Sequence, residues 1–243
     1  MRIPEGIEAL CQALLSGLEA ALGEKLYGVY LYGALAFPEG GATGDIDFHA
    51  ILTETPDDRE RTAIEDLHAA LAKAFPPLGV EMDGYYILLE DARRRSPPRH
   101  QLRPDIVDNS WALHRAHIRA GRCIILRGPD PTEIYPPVSW PELEVALQRE
   151  LDYVENHLTD YPAYCVLNLC RLIYSFETGD VVVSKYGSAR WAYDALPAWR
   201  PHVEAARRSY ERTSTSRDEA FLEAEVGPFF DFAVQRIEAS RSR

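Results

Sequence analysis

Two apolar spacings alternate along the first 128 residues. Apolar residues three or four apart predict helices over three segments, 5–22, 57–75 and 108–121. Short apolar runs predict strands over four segments, 26–33, 45–52, 79–89 and 123–128. A basic stretch with prolines, 92–104, is typical of a loop. The first part of the chain is therefore predicted to be a mixed sheet with flanking helices.

A proline-rich segment then interrupts the pattern. Residues 129–142, PDPTEIYPPVSWPE, contain five prolines and predict a domain boundary. Beyond it the apolar spacing is helical over five segments, about 141–158, 162–178, 187–195, 200–213 and 217–240. The fold class expected is α+β, with a sheet domain over 1–138 followed by an all-α helical bundle over 139–243.

Two aspartates stand in the second predicted strand. Residues i and i+2 of a strand point to one face, so Asp45 and Asp47 lie side by side with His49 beyond them. Adjacent carboxylates repel each other, and a hard divalent cation such as Mg²⁺ relieves that repulsion. The pair therefore predicts a metal site, while His49 is either a neighbour of the metal or a hydrogen-bonded supporting residue.

A glycine-rich loop precedes these aspartates. Gly33 ends the first predicted strand, and a residue without Cβ lets a phosphate approach the backbone N–H groups. The third predicted strand adds Glu81 and Asp83, again two residues apart. One of them is expected to act as general base on a substrate hydroxyl or as a further metal ligand. Together these residues predict a site for phosphate and metal.

Composition and charge narrow the class of partner. The 243 residues carry a formal net charge of −12, which excludes a strongly basic surface for nucleic acid and favours cationic partners. No apolar run approaches the roughly 20 residues that span a bilayer, so we expect no membrane contact and a cytoplasmic location. The four cysteines lack metal-ligand spacing and are expected to be reduced core residues.

The order of these elements resembles a known signature. A glycine and a small residue, Gly33-Ala34, are followed by ten residues and then by Asp-apolar-Asp. This resembles the DNA polymerase β-like nucleotidyltransferase superfamily, where the second position is usually serine or glycine. The resemblance implies that Gly33 and Ala34 bind the nucleotide, although the alanine methyl group cannot bind phosphate as a serine hydroxyl would.

The second half of the chain extends the resemblance. Residues 164–197, YCVLNLCRLIYSFETGDVVVSKYGSARWAYDALP, contain R-x-x-Y-S-x-x-T-G, a lysine and then A-x-W-A-x-x-x-L-P. They resemble the helical domain of the aminoglycoside adenylyltransferases that modify streptomycin and spectinomycin, and 123–138 resembles that family's connector. The resemblance implies a nucleotidyltransferase domain over 1–138 and a helical domain that binds substrate and nucleotide over 139–243.

The same resemblance implies an activity and its residues. The expected reaction is Mg²⁺-dependent transfer of AMP from ATP to a hydroxyl of the drug, with release of pyrophosphate. The implied site residues are the metal ligands Asp45 and Asp47, the base Asp83 with Glu81 as the shifted choice, the phosphate-binding Arg171 and Lys185, and Asp160 for the cationic drug. Arginine and lysine suit phosphate because both are permanent donors at neutral pH.

Departures from the family pattern leave alternatives open. A tryptophan of streptomycin-modifying members has no counterpart, since Asp152 and Tyr153 occupy its region, so spectinomycin is favoured over streptomycin. The alternatives are transfer to another small molecule or to a protein hydroxyl, and a module that binds nucleotide without transferring it. The expected partners are ATP and a small cationic substrate bearing a hydroxyl, and the expected assembly is a monomer or weak dimer.

Overall fold

The computed structural model describes residues 3–4, 6–38 and 45–242. Residues 39–44 of the predicted glycine-rich loop therefore lie outside the described residues. The chain divides into two compact units, Met1–Ser139 and Trp140–Arg243, and each is described by itself.

The first unit contains a four-stranded mixed sheet. Its strands are β1 (Leu26–Tyr32), β2 (Ile46–Leu52), β3 (Met82–Leu88) and β4 (Ile124–Arg127). The strand order is β3-β2-β1-β4. β1 pairs antiparallel with both β2 and β4, whereas β2 pairs parallel with β3. The mixed sheet expected from the apolar pattern is confirmed.

Among the described residues of this unit, four helices flank the sheet: α1 (Glu8–Leu22), α2 (Asp58–Ala74), α3 (Leu89–Ala92) and α4 (Trp111–Arg119). α2 begins at a capping box, in which Asp57 and Glu60 each accept a hydrogen bond from the other's backbone N–H. The third strand is shorter than predicted, because the segment with Pro76 and Pro77 forms turns up to residue 80. Glu81 consequently lies outside β3, which corrects its placement within that strand.

Alternation along the strands gives the sheet two different faces. Ile46, Phe48 and Ala50 of β2 face a core that includes α1 and residue Ile64 of α2. Residue Ile51 faces the opposite side, where the core includes four large aromatic residues: Tyr30, Tyr32, Trp111 and Tyr135. Since Asp47 and His49 share the parity of Ile51, they lie on this aromatic face.

The second unit consists of helices α5 (Trp140–Asn156), α6 (Pro162–Thr178), α7 (Lys185–Ala195), α8 (Arg200–Tyr210) and α9 (Ser216–Arg241). α6 contacts each of the other four, and residues around its whole circumference are buried. A helix that is apolar on all sides is expected at the centre of a bundle. α7 begins two residues earlier than predicted, because Ser184 Oγ accepts a hydrogen bond from Gly187 N at 2.8 Å and caps it.

In the part of the chain that the structure describes, no helix combines the length and apolar character needed to cross a bilayer. The thiols of Cys11, Cys123, Cys165 and Cys170 are buried and form no disulfide.

Candidate active site

Strand register brings two acidic residues together. The parallel ladder pairs Asp47 of β2 with Asp83 of β3, and the antiparallel ladder pairs Asp47 with Tyr32 of β1. Paired residues on neighbouring strands share a face and lie about 5 Å apart. The structure therefore places the Asp47 and Asp83 side chains next to each other on the aromatic face. Asp45 is exposed and directly precedes β2.

Glu81 takes a different position from Asp83. Its backbone carbonyl accepts a hydrogen bond from Ile46 N at 2.9 Å, so it borders the start of the β2–β3 ladder. Continued by one step, the register would bring Glu81 opposite Asp45 rather than opposite Asp47. The Asp83 side chain is 72% exposed and accessible to a substrate. The pairing thus favours Asp83 as the acid that acts beside Asp47, and the choice of base stays a prediction.

Gly33 lies against the Asp47 carboxylate. Its φ of +70° is in the left-handed region, and a Cβ added there would overlap Asp47 Oδ2. Gly33 begins a single 3₁₀ turn, Gly33–Ala36, in which Ala34 O accepts a hydrogen bond from Phe37 N at 3.2 Å. Glycine is required here both by the backbone conformation and by the close approach of Asp47. The beginning of the glycine-rich loop is therefore in contact with the predicted metal ligand.

The donor set fits a hard divalent cation. Asp45, Asp47 and Asp83 offer only carboxylate oxygens, which are the protein ligands that Mg²⁺ prefers. Arg103 Nη2 lies 3.8 Å from Asp83 Oδ1. Sequence patterns did not single out this arginine, although it belongs to the basic segment 92–104. Because both side chains are more than half exposed, the contact is weak and leaves the Asp83 carboxylate accessible.

His49 lies deeper on the same face. The side chain is fully buried, and its Nδ1 is 3.1 Å from the Tyr135 hydroxyl. Burial, assisted by His114, lowers the pKa of His49 to about 3. The imidazole is therefore neutral at physiological pH. Of the two predicted roles for His49, this environment favours the buried, hydrogen-bonded one.

In the second unit, two predicted phosphate ligands meet around one tyrosine. Lys185 is the first residue of α7, and its Nζ lies 4.3 Å from the centre of the Tyr164 ring. Arg171 on α6 lies 3.7 Å from Glu150 Oε2. Asn168 joins the two contacts, because its Nδ2 donates to Glu150 Oε2 at 3.2 Å and to the Tyr164 hydroxyl at 3.4 Å. The structure thus brings Arg171 and Lys185 into one cluster, together with residues that sequence patterns did not indicate.

Asp160 lies beside a group of aromatic rings. It is exposed in the turn after α5, and its N–H donates to His157 O at 3.2 Å. His157 stacks on Tyr153 with ring centres 4.0 Å apart and on Tyr161 at 6.1 Å. We call Tyr153, His157 and Tyr161 the aromatic stack. Tyr153 also makes an edge contact with Tyr164, 6.1 Å away, so the stack adjoins the Arg171–Lys185 cluster.

Comparison with known proteins shows a family similarity that covers most of the second unit. Residues 133–236 match the family model of the aminoglycoside adenylyltransferase C-terminal domain. The fold is similar to that in the crystal structure of spectinomycin adenyltransferase AAD(9) from Enterococcus faecialis with ATP and spectinomycin. The TM-score is 0.75 at 15% sequence identity, over 93% of this chain and 97% of that chain. No curated protein matches the sequence. The predicted α+β fold and the resemblance to the adenylyltransferases are confirmed.

The contact of Gly33 with Asp47 gives a testable prediction. A Gly33→Ala variant should displace the Asp47 carboxylate and weaken the binding of Mn²⁺, a spectroscopic substitute for Mg²⁺, measured by electron paramagnetic resonance. Gly121→Ala is the matched control, because Gly121 has φ +80° but no atom within 4 Å of an added Cβ. Each variant should lose about 1–2 kcal/mol of stability from backbone strain, and only Gly33→Ala should lose affinity for Mn²⁺. Equal Mn²⁺ affinities in the two variants would contradict the proposed contact.

Proposed function

We propose that this chain, whose residues 133–236 match the aminoglycoside adenylyltransferase C-terminal domain, transfers AMP from ATP to a hydroxyl of an aminoglycoside or aminocyclitol such as spectinomycin or streptomycin and releases pyrophosphate. The pairing of Asp47 with Asp83 beside the Gly33 turn is the observation that carries the proposal. This pairing supports Asp47 as a metal ligand and Asp83 as the base, beside a backbone turn suited to phosphate. Use of ATP as the donor suits a cytoplasmic enzyme.

Asp83 serves as the base in this proposal. Its exposed carboxylate accepts the proton of the substrate hydroxyl, with Glu81 as the alternative acceptor. The hydroxyl oxygen then forms a bond to the α-phosphorus of ATP, and the bond from that phosphorus to the β-phosphate oxygen breaks. Pyrophosphate leaves with the electron pair. The role of the chain is to hold the three groups in line and to take up the proton.

Asp45 and Asp47 are the residues proposed to hold Mg²⁺. When bound by these carboxylates, Mg²⁺ would supply positive charge beside the phosphates. Asp47 is fixed in position by pairing on both sides, with Tyr32 and with Asp83. The backbone of Gly33 and Ala34, at the start of the 3₁₀ turn, is proposed to bind the nucleotide.

Arg171 and Lys185 are proposed to bind the phosphates. The Arg171 contact with Glu150 is long, at 3.7 Å, so a phosphate could replace it with shorter charge-assisted hydrogen bonds. Lys185 stands at a helix N-terminus, where the partial positive charge of the backbone also favours an anion. Both residues then stabilise the charge that builds on pyrophosphate as it leaves.

The acceptor is proposed to bind at Asp160 and the aromatic stack. A carboxylate attracts the protonated amines of an aminocyclitol, and the exposed faces of Tyr153 and Tyr161 offer cation–π and apolar contact. The similar AAD(9) was crystallised with ATP and spectinomycin, which supports spectinomycin as the first substrate to test. The net charge of −12 is consistent with a cationic acceptor.

The reaction itself is tested by pyrophosphate release from ATP and Mg²⁺ with a panel of aminocyclitols and aminoglycosides. Asp47→Asn should lower the rate by about 10²–10³-fold or more, because it removes a charge that holds the metal against the phosphates. Asp66→Asn is the matched control, since this exposed aspartate on α2 lies outside the site. Undiminished activity in Asp47→Asn would overturn the assignment. ATP binding without pyrophosphate release for any acceptor would instead support the nucleotide-binding module.

The base is tested by comparing Asp83→Asn with Glu81→Gln. Loss of the general base should lower kcat by about 10²–10⁴-fold, and the strand register predicts that Asp83→Asn shows this loss. Glu81→Gln should show a much smaller effect. The reverse order of kcat values, measured at saturating ATP and acceptor, would transfer the role to Glu81.

Separate sites for the two substrates predict separate kinetic effects. Asp160→Asn should raise KM for the acceptor about tenfold, as expected for removal of one charged interaction, and leave KM for ATP unchanged. Arg171→Gln should raise KM for ATP and leave KM for the acceptor unchanged. Steady-state kinetics with each substrate varied in turn measures both values. Identical effects of the two variants on both KM values would argue against this division of roles.

A further inference from the structure

A second group of possible ligands lies on the aromatic face of the sheet, deeper than the Asp47–Asp83 pair. It consists of His49 on β2, Asp108 just before α4, and His114 on α4. One ligand atom of each residue lies within 4.8 Å of those of the other two. His49 is fully buried and Asp108 is 6% exposed, so the three groups meet below the protein surface.

Hydrogen bonds already orient two members of the group. His114 Nδ1 lies 2.8 Å from Asp108 Oδ2, and Asp108 Oδ1 accepts a hydrogen bond from Ser110 N at 3.0 Å. The Asp108 carboxylate is thus held between the Ser110 backbone and the His114 ring.

The third member, His49, has one nitrogen in use and one available. Its Nδ1 is engaged by the Tyr135 hydroxyl at 3.1 Å. Its Nε2 is buried and has no hydrogen-bond partner among the residues that the structure describes. A buried polar nitrogen without a partner is unfavourable, because it has given up its hydrogen bonds to water. A ligand that binds Nε2 would remove this penalty.

We propose that His49, Asp108 and His114 form a binding site for a divalent transition-metal ion of the zinc type, separate from the Mg²⁺ ligands Asp45 and Asp47. Two imidazoles and one carboxylate are a donor set that zinc accepts readily, whereas Mg²⁺ prefers oxygen ligands alone. Metal-binding histidines usually have the second ring nitrogen hydrogen-bonded, as Tyr135 does for His49.

The position of this site gives it a structural consequence. The Tyr32 ring lies 4.4 Å from the His49 ring and 4.8 Å from the His114 ring, and Tyr32 pairs with Asp47. A metal bound by the three residues would link α4 to β2 beside the Tyr32 ring. Its ligand on β2, His49, is two residues from Asp47. The His114 side chain is 27% exposed, which provides a route of entry for the ion.

The proposal is tested by titrating Co²⁺, a coloured substitute for zinc, into the full chain after treatment with a chelator. We expect one equivalent of Co²⁺ to bind with the visible absorption of a four- or five-coordinate nitrogen–oxygen site. Zn²⁺ should displace it, and excess Mg²⁺ should not. Absence of these bands at an excess of Co²⁺, with the chain folded by circular dichroism, would overturn the proposal.

Variants test whether the Co²⁺ absorption bands arise from His49, Asp108 and His114. His114→Gln should abolish them, and its partial exposure makes this substitution compatible with folding. Tyr135→Phe keeps all three ligands and should weaken Co²⁺ binding by about 10–100-fold. His68→Gln, on α2 with its ring bonded to the Tyr86 hydroxyl, is the control that should retain the bands. Unchanged Co²⁺ binding in both His114→Gln and Tyr135→Phe would overturn the proposal.

The outcome is independent of the proposed reaction. Asp47→Asn should retain the Co²⁺ bands while losing pyrophosphate release. If the proposed adenylyl transfer fails for every acceptor, the Co²⁺ titration still decides whether the histidine site exists.

Discussion

The parallel pairing of β2 with β3 is the constraint on which the proposed site depends. It runs without interruption from Ile46 opposite Met82 to Leu52 opposite Leu88. The Phe48 ring packs over Gly84, its partner in the ladder, where an added Cβ would overlap the ring. A slip of one residue would turn Asp83 to the opposite face and separate it from Asp47. The packing of one phenylalanine on one glycine thus helps to keep two carboxylates adjacent.

Alternate residues of β2 have different roles: one set packs in the apolar core, and the other includes the proposed metal ligands. Its even-numbered residues enter the apolar core with α1, and this burial supplies the hydrophobic stabilisation of the sheet. Its odd-numbered residues run from the half-buried Asp47 to the fully buried His49. Asp47 remains where water and a hard cation would reach it, and His49 lies where a softer ion would be protected. Depth along one strand therefore distinguishes two kinds of proposed metal site.

In the second unit, helix packing and a helix cap position the Arg171–Lys185 cluster. α6 is buried on most sides, which fixes Arg171 and Asn168 among the other helices. The Ser184 cap sets the first residue of α7, so that Lys185 stands where the helix dipole is positive and its ammonium lies over Tyr164. A local hydrogen bond and a central helix together position Arg171 and Lys185, the two residues proposed to bind phosphate.

The sequence by itself determined the elements and the parity of their residues. Periodicity placed α6 at its observed bounds, and the spacing of two put Asp47 and His49 on one face, because both depend only on neighbours along the chain. Tertiary structure alone decided which acid faces Asp47 and that His49 contacts Tyr135, 86 residues away. These contacts depend on strand register and helix packing, which arise between segments distant in the chain and leave no periodic signal within either one.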